Sequence, residues 1–219
     1  KLIKMGKCGG VLHLKTNTGV KITEDFVIQQ CKDLGIKLYI RQPTPLAFAY
    51  VAYCLQFGFP GPGMHSAIMK ILKYNTMVKF VQEPEFKDKK VAIISGVRKW
   101  ESLRRMGNYN EPIQNDSGLS FVCPLFYEKD DEVYKYFIEN GLKRSPSYDT
   151  LGFSGECMCG SFAQKDEALL LKQVDPERFE FIEWITDGIK RFGSKTAKKY
   201  SKWGNTSDFD DIKNQEIMS

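Results

Sequence analysis

The alternation Val11-Leu12-His13-Leu14-Lys15-Thr16, broken by Asn17-Thr18-Gly19, constrains the fold of this chain most strongly. A hydrophobic period of two predicts a strand over 11–16 that ends in a turn. Thr23 then reads as the cap of a helix with Glu24 and Asp25 in its first turn, closed by Gly35. Ile36-Lys37-Leu38-Tyr39-Ile40 predicts a second strand. Strand, helix and strand at this spacing form a βαβ unit, which requires parallel pairing and a right-handed crossover. Pro45 opens an apolar helix through Phe57, a Gly/Pro-rich loop covers 58–63, and a second helix runs from Met64 to about Tyr74. Lys90 to Ile94 predicts a buried strand ending at Ser95-Gly96, and Asp130-Asp131 begin a helix that Gly141 ends. The fold class is therefore α/β, a doubly wound, mostly parallel sheet spanning 1–162. A helical extension and polar tail occupy 163–219, with the tail starting at Gly204.

With 42% hydrophobic and 13% aromatic residues among 219, the chain can bury a core for such a fold. No apolar run approaches the roughly 20 residues of a membrane span, so no membrane association is expected. Lys1-Leu2-Ile3-Lys4 does not open a signal peptide. The net charge of +5 suits a phosphate-bearing ligand but is too small to argue nucleic acid by itself. Six scattered cysteines point to reduced thiols and a cytoplasmic protein.

Ligands of open parallel sheets bind past the carboxyl ends of the strands. At the first such end, Asn17-Thr18-Gly19 reads either as a plain turn needing glycine for positive φ or as a ligand loop. At another, Gly96 precedes Arg98, Ser102 and Arg105, which fall on one side of the following helix. Two guanidinium forks and a hydroxyl near a helix N-terminus make a phosphate clamp; a solvated basic face is the alternative.

Four segments carry a resemblance. Asn17-Thr18-Gly19-Val20 with Glu24-Asp25-Phe26-Val27 resembles the "DTG…PET…F" segment of PAPS reductases. Gly96-Val97-Arg98 with Glu101-Ser102 and Arg105 resembles their "GIRR-x-ES-x-x-R" element. Pro124-Leu125-Phe126 and Asp131 to Tyr136 resemble "P-L-x-x-W-x-x-x-D-V-W-x-Y", and Ser145 to Tyr148 with Ser154-Gly155-Glu156-Cys157 resembles "NPLY…SG-x-x-x-C". The order of the four over roughly 11–162 is more specific than any one of them.

The resemblance implies an adenine-nucleotide α-hydrolase (PP-loop) fold that binds ATP or a PAPS-like adenine nucleotide, with Mg2+. It makes Lys73 a phosphate candidate and places a "SGGKDS" loop upstream of the strand at Val11, where residues are expected to precede Lys1. It also suggests nucleic acid, a sulfur-donor protein or a second copy of the chain as partner. The family's "ECGLH" cysteine is missing, since no Cys follows Cys159. Gly61 to Ser66 stand where the family's iron–sulfur branch has an adjacent Cys pair. The implied chemistry is then ATP pyrophosphatase, adenylating or sulfur-transfer activity. The alternatives are a non-catalytic nucleotide- or nucleic-acid-binding relative and a sulfonucleotide reductase using Cys157 and Cys159.

Cys157-Met158-Cys159, flanked by Gly155 and Gly160, can hold zinc or an iron–sulfur cluster with a further ligand such as His65, or can be two small core residues. Lys190, Arg191, Lys195, Lys198, Lys199 and Lys202, interleaved with Phe192, Tyr200 and Trp203, give a solvated helix face or a nucleic-acid surface.

Overall fold

The computed structural model describes residues 2, 5–6, 8–43, 48–99, 111–116, 119–164 and 167–204. It divides into two units, Lys1–Thr76 with Ser145–Ser219, and Met77–Arg144.

The first unit opens on the expected βαβ motif. Strand β1 (Val11–Leu14) leads through helix α1 (Lys21–Asp33) to β2 (Leu38–Arg41), and β1 and β2 pair in parallel with Val11 opposite Leu38. Gly35 ends α1 at φ 61, as a left-handed residue must. Thr23 is not the cap. The cap lies three residues earlier, at Val20, and a buried carboxylate from a distant segment supplies the missing acceptor: Lys21 N–H donates to Asp175 Oδ2 at 2.7 Å. Thr23 is freed for a buried hydroxyl cluster with Ser145 and Ser147, and its Oγ1 donates to the Ser154 carbonyl.

Helix α2 (Phe48–Phe57) follows; Pro45 lies outside the described residues. After a short 3-10 turn at Pro62–Met64, α3 (His65–Met69) continues through a π-turn over Lys70–Tyr74 into α4 (Asn75–Val81). The segment from 145 onward supplies α6 (Ser147–Leu151), α7 (Glu167–Val174), α8 (Pro176–Phe192) and α9 (Lys195–Lys199). Ile182, Ile185 and Ile189 form the buried stripe of α8, at helical spacings of three and four. They pack with Tyr50, Tyr53 and Cys54 of α2, Ile68, Leu72, Met158, Cys159 and Trp203 in one core. The helical segment thus shares a core with α2 and with Val20 at the start of α1. Trp203, expected among surface aromatics, is 7% exposed and donates its indole N–H to the Met158 carbonyl at 3.2 Å. Tyr50 donates its buried hydroxyl to the Cys159 carbonyl at 2.6 Å, a bond worth about 1 kcal/mol.

In the second unit, β3 (Ala92–Ile94) pairs in parallel with β5 (Leu119–Val122), and β4 (Ile113–Asp116) pairs antiparallel on the other side of β5. The apolar run before Gly96 is not a buried strand: Ala92 is exposed and Ile94 is 43% exposed. It is an edge strand among the described residues, whereas central β5 buries Leu119. Helix α5 (Asp130–Glu139) carries Asp130, Asp131 and Glu132 in its first turn, where acidic groups complement the helix dipole. Gly141, at φ 57, follows its end. The α/β class and parallel pairing are present, with the strands in a two-stranded and a three-stranded sheet. Among the described residues no helix is long and apolar enough to cross a membrane.

Candidate functional site

The carboxyl end of β1 opens into a small pocket lined by Lys15, Thr16, Asn17, Gly19, Glu156 and Arg178, among others. Its loop is held rigidly. Asn17 sits in the left-handed region at φ 57, and Thr16 and Thr18 bond through their hydroxyls at 3.0 Å, both buried. The 155–158 segment is zipped along this loop: Val20 N–H donates to the Gly155 carbonyl at 2.9 Å and Met158 N–H to the Thr18 carbonyl at 2.8 Å. The left-handed residue of the turn is therefore Asn17, not Gly19. Gly19 is needed for space, because a Cβ there would stand 2.4 Å from the Glu156 carbonyl oxygen.

Arg178 reaches the same place from the first turn of α8. Asp175 caps that helix by accepting the Arg178 N–H at 3.1 Å, while its other oxygen takes the Lys21 N–H. One buried carboxylate thus fixes the starts of α1 and α8 together. The Arg178 guanidinium donates through Nη1 to the Asn17 carbonyl, and its buried Nε has no hydrogen-bond partner. Lys15 is paired with Glu24 at 2.8 Å and Lys73 with Glu156 at 3.2 Å. Arg178 has no carboxylate within ion-pair reach among the described residues. A buried guanidinium donor without an acceptor favours an anionic group in the pocket. The cavity there measures about 20 Å³. That is room for a water-sized group or one corner of an anion, so a larger ligand would lie over it.

On the other side of the 155–159 segment, Cys157 and Cys159, two residues apart, line a second cavity together. Cys157 lies 3.5 Å from the Thr18 hydroxyl and Cys159 3.4 Å from that of Ser161. The Cys157 thiol, donating to Cys159, lowers the Cys159 thiol to about 4 against the penalty of burial, with help from His65 and Ser161. Cys157 is raised in return, first by its bond to Cys159 and then by burial. Among the described residues no group of three or more His, Cys, Asp or Glu side chains is arranged around one ion. Among those residues Cys157 and Cys159 stand as a dithiol without a third such ligand. The pocket carboxylates Glu24 and Glu156 are each paired with a lysine.

Asn17, Thr18, Gly19, Lys73, Cys157, Cys159 and His65 all belong to the first unit, and the 155–159 segment links the loop residues to the thiols. Gly96 and Arg98 belong to the second. The space ahead of Gly96 is open, and Arg98 is ion-paired with Asp130 across unit two. Ser102 and Arg105 lie outside the described residues. Arg178 was not foreseen. Its only local signal is the Asp175-Pro176 helix start two residues before it.

No protein-family model and no curated protein matches the chain. Among solved structures it is similar to the phosphoadenylyl-sulfate (PAPS) reductase of Candida auris in its phosphate complex, with 18% identity and a TM-score of 0.48, over 69% of this chain and 71% of that one.

Proposed function

We propose that this chain is a PAPS reductase-like, adenine-nucleotide-binding enzyme that holds a phosphate of its substrate at the carboxyl end of β1. The observation that carries the proposal is Arg178: a guanidinium on a capped helix that lines the pocket, with a buried Nε donor that has no acceptor among the described residues. Asn17, Thr18 and Gly19 shape the pocket floor, and the Lys73–Glu156 pair closes one side. Such a site positions a phosphate and withdraws charge from it, which is most of what a phosphoryl- or nucleotidyl-transferring protein contributes.

The chemistry we propose is cleavage of ATP with adenylation or sulfur transfer, with sulfonucleotide reduction as the alternative. Mg2+ would then arrive on the nucleotide phosphates. Gly96, Arg98, Ser102 and Arg105 are a separate proposal, a phosphate-binding element of the second unit in which Arg98 would exchange Asp130 for a phosphate. A nucleic-acid or protein acceptor would meet exposed Lys190, Arg191, Lys195, Lys198 and Lys199 on α8 and α9.

Pyrophosphate release from ATP by the full-length protein with Mg2+ tests the reading. Release above background that Arg178→Ala cuts by at least about tenfold is expected. No release with any acceptor, or release unchanged in the variant, would refute it.

A further inference from the structure

We propose that Cys157 and Cys159 form a redox-active dithiol that closes to an internal disulfide by exchange with low-molecular-weight disulfides. The proposal stands independently of nucleotide binding and rests on the cavity beside the thiols. That cavity measures about 240 Å³ and is lined by both cysteines with His65, Phe162, Glu167 and Trp203. It is twelve times the volume of the β1 pocket (240 against 20) and wide enough for the sulfur end of a small linear disulfide. Phe162, 42% exposed, is part of its lining, with its ring 4.8 Å from that of His65.

The two thiols are placed differently. Cys159 is held in the core, 4% exposed, with Ser161 Oγ beside its sulfur. Cys157 is the less buried of the two and touches Thr18. Cys159, with the Ser161 hydroxyl 3.4 Å from its sulfur and His65 on the same cavity wall, is the attacking sulfur, and Cys157 is the resolving one. Positive φ at Gly155 and Gly160 brackets the segment in backbone turned by residues other than the cysteines.

The exchange balances without a metal. The Cys159 thiolate attacks one sulfur of the external disulfide, that S–S bond breaks, and the first thiolate leaves and takes a proton from water. Cys157 then gives its proton to solvent and attacks the Cys159 sulfur, and the second external thiol is released. The protein loses two electrons and two protons, and the external disulfide gains them.

Full-length protein, reduced and freed of reductant, is incubated with oxidised glutathione and mapped by peptide mass spectrometry. The wild type is expected to yield a Cys157–Cys159 disulfide without retained glutathione. Cys157→Ser is expected to trap glutathione on Cys159. Cys159→Ser is expected to slow adduct formation at Cys157 by at least about tenfold. Separate glutathione adducts on both cysteines, pairing of Cys159 with Cys54, or reaction at Cys8 alone would overturn the proposal. The wild-type arm needs no variant to fold, and circular dichroism checks the two that are made.

Discussion

Replacing Gly19 by alanine is expected to lower the melting temperature by about 2–12 °C and to abolish anion binding at the β1 pocket. The backbone at Gly19 is not in the left-handed region, so the cost is not conformational. It is steric. The new Cβ would stand 2.4 Å from the Glu156 carbonyl oxygen and 3.0 Å from its carbon, and both are backbone atoms that no rotamer change can move. Either the 155–158 segment or the 16–20 loop must retreat, and the hydrogen bonds from Val20 to Gly155 and from Met158 to Thr18 weaken with it. Overpacking of this kind costs about 1–3 kcal/mol, and each kcal/mol lowers the melting point of a chain this long by about 2–4 °C. Gly9→Ala is the control, since nothing lies within 4 Å of its Cβ position. Thermal melting of both variants checks the expectation. A Gly19→Ala protein that melts with the wild type would show that the two segments are not packed as described.

Arg178→Ala is expected to weaken binding of a phosphate-bearing adenine nucleotide by at least about tenfold, because a charge-assisted contact is worth about 1.5–3 kcal/mol. Arg178→Lys should recover only part of the loss, because an ammonium replaces the bidentate fork with a point charge. Arg178 also donates to the Asn17 carbonyl, so some stability is lost with it. The lysine variant separates that loss from the ligand contact. Arg98→Ala provides the comparison. Arg98 is partnered by Asp130, whose side chain is 87% exposed, and a pair of that exposure contributes little to stability. Its removal reports the second phosphate element with little change in melting. Affinities measured by calorimetry for the three variants rank the two elements. Equal small losses at both arginines would reduce them to structural and surface charges.

The βαβ motif was legible because β1 alternates and α1 is bounded by a glycine that must be left-handed. Both are local properties of sequence. The start of α1 was not, since its acceptor is Asp175, 154 residues away, and no local pattern announces a cap borrowed across the chain. Arg178 was hidden for the same reason: it sits in a charged helix whose periodicity reports the Ile182, Ile185 and Ile189 stripe and nothing about what the first turn faces. The apolar run at β3 suggested burial, but only a central strand has both neighbours, and β3 lies at an edge among the described residues. The Asn17-Thr18-Gly19 turn is legible locally. Its glycine was explained by the wrong cause, because close approach of a backbone 137 residues later cannot be read from a turn motif.

The most direct test of the central claim is a calorimetric titration of the full-length protein with adenosine, AMP, ATP and PAPS under one buffer and salt condition. A phosphate held at Arg178 predicts that adenosine binds weakly or without measurable heat, while the phosphorylated ligands bind at least about tenfold tighter. It also predicts that this advantage disappears in Arg178→Ala. Adenosine binding as tightly as ATP, or no heat from any of the four, would contradict the assignment of a phosphate site at the carboxyl end of β1.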